Sequence, residues 1–162
     1  MSRDTIQLAR QKWVEHGWDD AAEGMAAVTS IMRAQQILQA RVDEVLRPHE
    51  LTFARYEVLM LLHFSSRGSM PVTKAAQRLQ VHPTSITNSV DRLEAAGLVR
   101  RLPHPTDGRA TLIEVTEAGR ESALKATEAL NRDVFSQPGV NARRTSTLVN
   151  VLTDLRRQAG DF

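Results

Sequence analysis

The sequence predicts a mainly α-helical chain carrying one small β-hairpin, and three observations predict it. Apolar residues recur at helical spacing through most of the 162 residues, whereas strand-prone runs are confined to residues 98–102 and 110–115. Those runs flank Pro103-His104-Pro105-Thr106-Asp107-Gly108-Arg109, whose proline and glycine content suits a long loop. Aromatic residues make up 4% of the chain, which is low for a β-sandwich, and the length suits one globular domain over residues 1–162.

In chain order, residues 4–16 scatter Ile6, Leu8, Ala9, Trp13 and Val14 among charges, the pattern of a short amphipathic helix that Gly17 breaks. Trp18 suits a staple at the start of the next helix. Asp19 or Asp20 caps that helix, Glu23 is placed for a capping box on Asp20, and Pro48 stops it near Arg47. At ~1.5 Å per residue this helix spans roughly 40 Å. Its Val28, Ile31, Met32, Gln35, Leu38, Val42 and Val45 form a seam that needs a partner. Leu51-Thr52 opens a third helix, where Tyr56, Val58, Leu59, Met60, Leu61, Leu62 and Phe64 make a buried spine that Gly68 ends. Residues 70–72 fit a short strand, and Pro71 confines it to a sheet edge.

Residues 72–115 are the most informative stretch. Thr73 is placed to cap a short helix through Leu79, Gln80 and Val81 form a tight connection, and Pro83 suits the first turn of a second helix reaching Ala96. Two helices so joined make a helix-turn-helix. At ~100° per residue, Ile86, Val90 and Leu93 fall on one side of the second helix, and Thr84, Thr87, Asn88, Asp91 and Arg92 on the other. With Ser85, these are mostly short hydrogen-bonding side chains, able to meet base edges in a major groove. Gly97 stops the helix. The hairpin then carries Arg100 and Arg101 on its first strand and Arg109 near its tip, where Asp107 can hold the Arg109 guanidinium and the arginine can probe a minor groove. After the hairpin, Thr116 starts a helix passing Leu124, Leu130 and Val134 up to Pro138-Gly139. A last helix begins at Asn141, with Leu148, Leu152 and Leu155 at helical spacing.

Charge distribution supports the same location. The net charge of +2 is too small to argue for nucleic acid by itself. Within residues 72–111, however, Lys74, Arg78, Arg92, Arg100, Arg101 and Arg109 outnumber Asp91, Glu94 and Asp107, and residues 1–51 show the reverse balance.

The segment QVHPTSITNSVDRLEAAGLVRRLPHPTDGRATLIEVTEAG closely resembles the winged helix-turn-helix of MarR-family bacterial transcription regulators, with Asp107-Gly108-Arg109 as the wing and Thr116-Glu117-Ala118-Gly119 opening the next helix. The likeness continues more weakly over nearly the whole chain. It implies a homodimer on a pseudo-palindromic operator in double-stranded DNA, with residues 51–115 as the winged helix-turn-helix and residues 1–50 and 116–162 supplying dimerisation helices. The helix from Pro83 would lie in the major groove and Arg109 in the minor groove. Some family members with an extra N-terminal helix respond to urate through a tryptophan on that helix, an acid on the spine helix and arginines. The matching positions here are Trp13 and Glu57, but the family's aspartate is a glutamate, and Phe64 stands at one arginine position. The implied effector is a small anionic aromatic compound, with Arg10, Lys12 and Arg55 near enough in sequence to balance its charge. The competing reading packs Trp13 on the core and pairs Glu57 with Arg55 or another nearby base.

Several classes are excluded or unsupported. The chain has no cysteine, which removes disulfides, thiolate metal sites and thiol-based sensing. The five histidines are too dispersed for a zinc signature, and no catalytic or cofactor motif is present. No apolar leader or run approaching ~20 apolar residues occurs, so a cytoplasmic protein without a membrane partner is expected. Three readings stay open: a ligand-released repressor or other regulator, a DNA-binding winged-helix protein without an effector, and a winged helix that binds only protein.

Overall fold

The computed structural model describes residues 4–108 and 110–162. It divides into two compact units, Met1–Glu44 and Val45–Phe162. In the first unit lie α1 (Thr5–Glu15) and most of α2 (Asp19–Leu46). The Asp4 carboxylate caps α1, accepting the Ile6 and Gln7 N–H groups at 3.0 and 3.3 Å. Gly17 adopts φ +77° and turns the chain. The Ala21 N–H donates to the Trp18 carbonyl, so the first turn already encloses Asp19 and Asp20, and neither is the expected cap. They act instead as negative charges at the positive end of the helix dipole. Glu23 forms an ion pair with Arg10 rather than closing a capping box. Along the α2 seam, Val28, Ile31, Met32 and Leu38 are exposed within the single chain, while Val42 is buried.

The second unit takes the end of α2, Val45 and Leu46, and continues into a 3-10 turn, Arg47–His49, that contains Pro48. Thr52 then caps α3 (Phe53–His63), its hydroxyl oxygen accepting the Arg55 N–H at 3.3 Å. Tyr56, Val58, Leu59 and Leu62 of α3 are buried, and the Tyr56 hydroxyl meets Thr127 Oγ1 at 3.0 Å. The sequence predicts a spine reaching Gly68. The helix instead stops at His63 with Phe64 as its C-cap, and Phe64 continues the side of Glu57, Met60 and Leu61, which is not buried, so it is 77% exposed. Gly68, at φ +64°, turns the chain into β1 (Ser69–Pro71).

The remaining elements are α4 (Val72–Leu79), α5 (Pro83–Ala95), β2 (Val99–Pro103), β3 (Thr111–Val115), α6 (Glu117–Leu130) and α7 (Ala142–Gln158), with a π-helical turn Asn131–Phe135 after α6. The antiparallel sheet has the order β1-β3-β2, with Met70 and Arg101 both opposite Ile113, so Pro71 does lie on an edge strand. Thr73 does not cap α4. Pro71 holds the extended N-cap position, and Thr73 lies inside the first helical turn, where its backbone is already helical. Ile86, Val90, Leu93, Val99 and Ile113 are almost wholly buried and join α5 to the wing.

Thr116 locks the start of α6 to the α5–β2 junction. Its hydroxyl donates to the Gly97 carbonyl at 2.7 Å and accepts the Gly119 N–H at 3.0 Å. A Cβ on Gly119 would collide with the Leu98 carbonyl, which is the steric reason for glycine at this place in Thr-Glu-Ala-Gly. Asn141 caps α7, yet no α7 residue is buried, and Leu148, Val149, Val151 and Leu155 are exposed within the single chain.

Candidate nucleic-acid interface

The connection between α4 and α5 depends on backbone geometry at two residues. Gln80 ends α4 in the left-handed conformation, φ +53°, and the Val81 N–H donates back to the Ala76 carbonyl at 3.1 Å. His82 then serves as the N-cap of α5, its Nδ1 accepting the Thr84 N–H at 3.2 Å, with Pro83 preset for the first helical position. The same tripeptide, His-Pro-Thr, recurs at the wing, where His104 Nδ1 accepts the N–H groups of Thr106 and Asp107 at 3.3 and 3.1 Å. Sequence reasoning misses both histidines. The usable signal is the repeated His-Pro-Thr at the two points where the chain must turn.

With Ile86, Val90 and Leu93 buried, α5 presents Thr84, Ser85, Thr87, Asn88, Asp91 and Arg92 outward, all exposed. The Thr87 hydroxyl donates to the Pro83 carbonyl at 3.0 Å, leaving its oxygen lone pairs and methyl for an incoming surface. Asp91 turns to the Arg101 guanidinium at 2.5 Å. Arg101 also takes Glu94, both by its side chain and by its backbone N–H, at 3.1 Å for the latter. Burial opposes the Arg101 charge, but the hydrogen bonds to Asp91 and Glu94 outweigh it and hold the guanidinium above its ordinary pKa. Arg100 pairs with Glu114 across the β2–β3 ladder at 2.6 Å. Thr84, Ser85, Asn88 and Arg92 are the outward α5 side chains with no side-chain partner among the described residues.

Comparison with known proteins agrees with this geometry. The MarR family model matches residues 51–111. A MarR family transcriptional regulator of Streptomyces coelicolor, Sco5413, has a similar structure with 49% sequence identity, covering 86% of this chain and 97% of that one with a TM-score of 0.79. The chain belongs to the MarR family. A second S. coelicolor member, Sco3205, solved in complex with DNA, shares the fold at 23% identity and a TM-score of 0.74, over 85% of this chain and 88% of that one. The HTH-type transcriptional regulator YhbI of Bacillus subtilis is 37% identical over 85 residues, which are 52% of this chain and 54% of YhbI. The chain thus aligns with only about half of that curated relative's length.

The remaining residues singled out in this MarR-family chain fall in several places. Arg109 lies outside the described residues, and Asp107 is exposed on the wing. Trp13 and Trp18 of the first unit meet edge to face, centroids 5.3 Å apart at 72°. Glu57, in the second unit, is half-buried, and desolvation raises its pKa. Arg55 does not pair with it: the Arg55 guanidinium donates to Thr52 Oγ1 at 3.1 Å and to the Glu50 carbonyl at 3.4 Å. Among the described residues there is no His, Asp and Glu cluster fit for a metal, and no helix is long and apolar enough to cross a membrane.

Proposed function

We propose that this chain is a sequence-specific DNA-binding transcription regulator in which α5 reads bases and the wing reads an adjacent minor groove. The observation that carries the reading is the division of labour on α5. Asp91, whose charge would repel phosphates, is held by Arg101, while Thr84, Ser85, Asn88 and Arg92 have no side-chain partner among the described residues. On this reading Arg101 positions α5 against β2, Arg100 braces the hairpin, and Thr87 adds an acceptor and a methyl. Arg109, with Asp107 beside it in sequence, is the wing's groove-entering residue. The exposed apolar residues of α7 support a homodimer, whose two-fold symmetry calls for a pseudo-palindromic operator.

The finer reading is a repressor released by a small anionic aromatic ligand. The aromatic surface of the Trp13–Trp18 pair supports it, and a tenfold release needs only ~1.4 kcal/mol of coupling. A panel of phenolic carboxylates and purine acids, followed by operator release and tryptophan fluorescence, separates this from a regulator without an effector. For the DNA reading, an operator selected from a random library is titrated at fixed salt against a scrambled duplex. Asn88→Ala and Ser85→Ala should each narrow the gap between the two duplexes by ~1 to 3 kcal/mol. Arg109→Ala should weaken operator binding without changing thermal stability. Equal losses on both duplexes from Asn88→Ala would remove the base-reading role from α5.

A further inference from the structure

The ion pairs of the winged module leave its positive charge in an unexpected place. Arg100 and Arg101, on the wing strands, are neutralised by Glu114, Asp91 and Glu94. Arg67, Lys74 and Arg78 form no ion pair among the described residues and line one open groove of about 620 Å³. Its other walls include His104 and Thr106 of the wing, and no Asp or Glu lines it. The His104 Nδ1 is already an acceptor for two backbone N–H groups, which assigns the ring proton to Nε2 and leaves that N–H as a donor.

The sheet fixes where this groove lies. Along β3, Thr111 lines a smaller groove shared with Thr87 of α5 and Arg101, whereas its neighbour Leu112 lines the basic one. The two grooves meet at Pro71, which lines both, but no α5 residue lines the basic one. The basic groove is on the α4 and β1 side, away from α5, which packs on β2 at the far side of the sheet. A duplex that engaged both α5 and the wing would continue past the wing on that side.

We infer that the groove formed by Arg67, Lys74, Arg78 and His104 is a second, sequence-independent contact, gripping sugar-phosphate backbone beyond the half-site that α5 reads. This deepens the DNA-binding reading and rests on it. Lys74 and Arg78 stand one helical turn apart on the same face of α4, about 5–6 Å between Cβ atoms, an elongated array that suits successive phosphates better than one compact anion. The groove is open rather than enclosed, as a continuous strand requires.

The test compares the selected operator trimmed to its two half-sites with the same operator extended by about 6 bp on each side, a little over half a ~10 bp helical turn. Fluorescence anisotropy is measured for wild type and for the Lys74→Ala/Arg78→Ala double variant over a range of salt concentrations. Extension should raise wild-type affinity by about tenfold, and the double variant should lose that gain while binding the trimmed operator as wild type does. On the extended duplex its log–log salt slope should fall by about two. Equal loss on both duplexes would place the two cations inside the half-site, and no gain from extension in wild type would remove the flanking contact. Either result overturns the inference while leaving the DNA-binding reading intact, whereas wild type binding neither duplex would end both. A third arm titrates inorganic pyrophosphate at constant ionic strength and follows backbone amide shifts. Saturable binding at Lys74 and Arg78 without any length effect would assign the groove to a free anion instead.

Discussion

Helices α5 and α7 begin alike and end up in different surroundings. Each has a side chain accepting a first-turn N–H, from His82 and Asn141 respectively, and each carries an apolar stripe at helical spacing. In α5 the stripe is fully used: Ile86, Val90 and Leu93 are at most 1% exposed. In α7 it is not, for Leu148 and Leu155 are 47% and 50% exposed and no residue is buried. Capping and patterning therefore make a helix, but the partner that covers its apolar face decides its task. Packing holds α5 with its polar face outward, whereas α7 keeps its apolar stripe exposed in the single chain.

Breaking the buried side of this comparison should have the largest effect. Leu93→Ala removes a side chain at the centre of the α5 contact and leaves a cavity, at a cost of about 2–5 kcal/mol in chemical denaturation. A loss below ~1 kcal/mol would mean that α5 is held mainly by its caps and ion pairs rather than by its stripe.

The second effect is on the uncovered side. Leu148→Glu should leave helix content and monomer stability unchanged, because the side chain is exposed in the single chain, but should convert the proposed homodimer to monomer in sedimentation. Operator affinity should fall by at least tenfold, or ~1.4 kcal/mol, as one half-site is lost. A variant that stays dimeric and binds normally would place the dimer contact elsewhere.

The two helices also separate what is legible in the amino-acid sequence from what is not. Pro83, Gly97, Thr116 and Asn141 mark boundaries by local chemistry, since each acts through its own φ or its own side chain on the next turn, and these boundaries stand. The stripe of α5 is legible for the same reason. What is not legible depends on distant partners. Arg101 looks like a DNA-facing cation until the packing of β2 beside α5 brings it to Asp91 and Glu94, although their spacing of three on one helix face is a usable hint. Phe64 departs from its expected place because a run that is apolar almost all round does not say which side of α3 is covered, and the side it shares with Glu57, Met60 and Leu61 is not buried. Thr73 departs from its expected role because Pro71, still in the sheet, already supplies the extended residue that precedes α4.

The smallest expected effect sharpens the comparison at the seam beneath α5. Glu57 of α3 lines a small hollow with Val58, Leu79, Ser85, Ile86 and Ser89, between α3 and α5. Desolvation raises its pKa in the folded chain. A folded value above the unfolded one means that the folded state holds the proton more tightly. The contribution to stability is then greatest below the unfolded pKa and declines as pH rises through the folded one. Glu57→Gln removes the titration, so wild type and variant should differ least in acid, and the variant should gain relative to wild type as pH approaches neutrality. Because the carboxyl is only half-buried, solvent screening keeps the gain below ~1 kcal/mol. Urea denaturation from pH 4 to 7 reads it as a sloping difference between the two proteins. A difference that stays flat would mean that the Glu57 carboxyl reaches water in the folded chain. The hollow under α5 would then offer no desolvated acid for a ligand to meet.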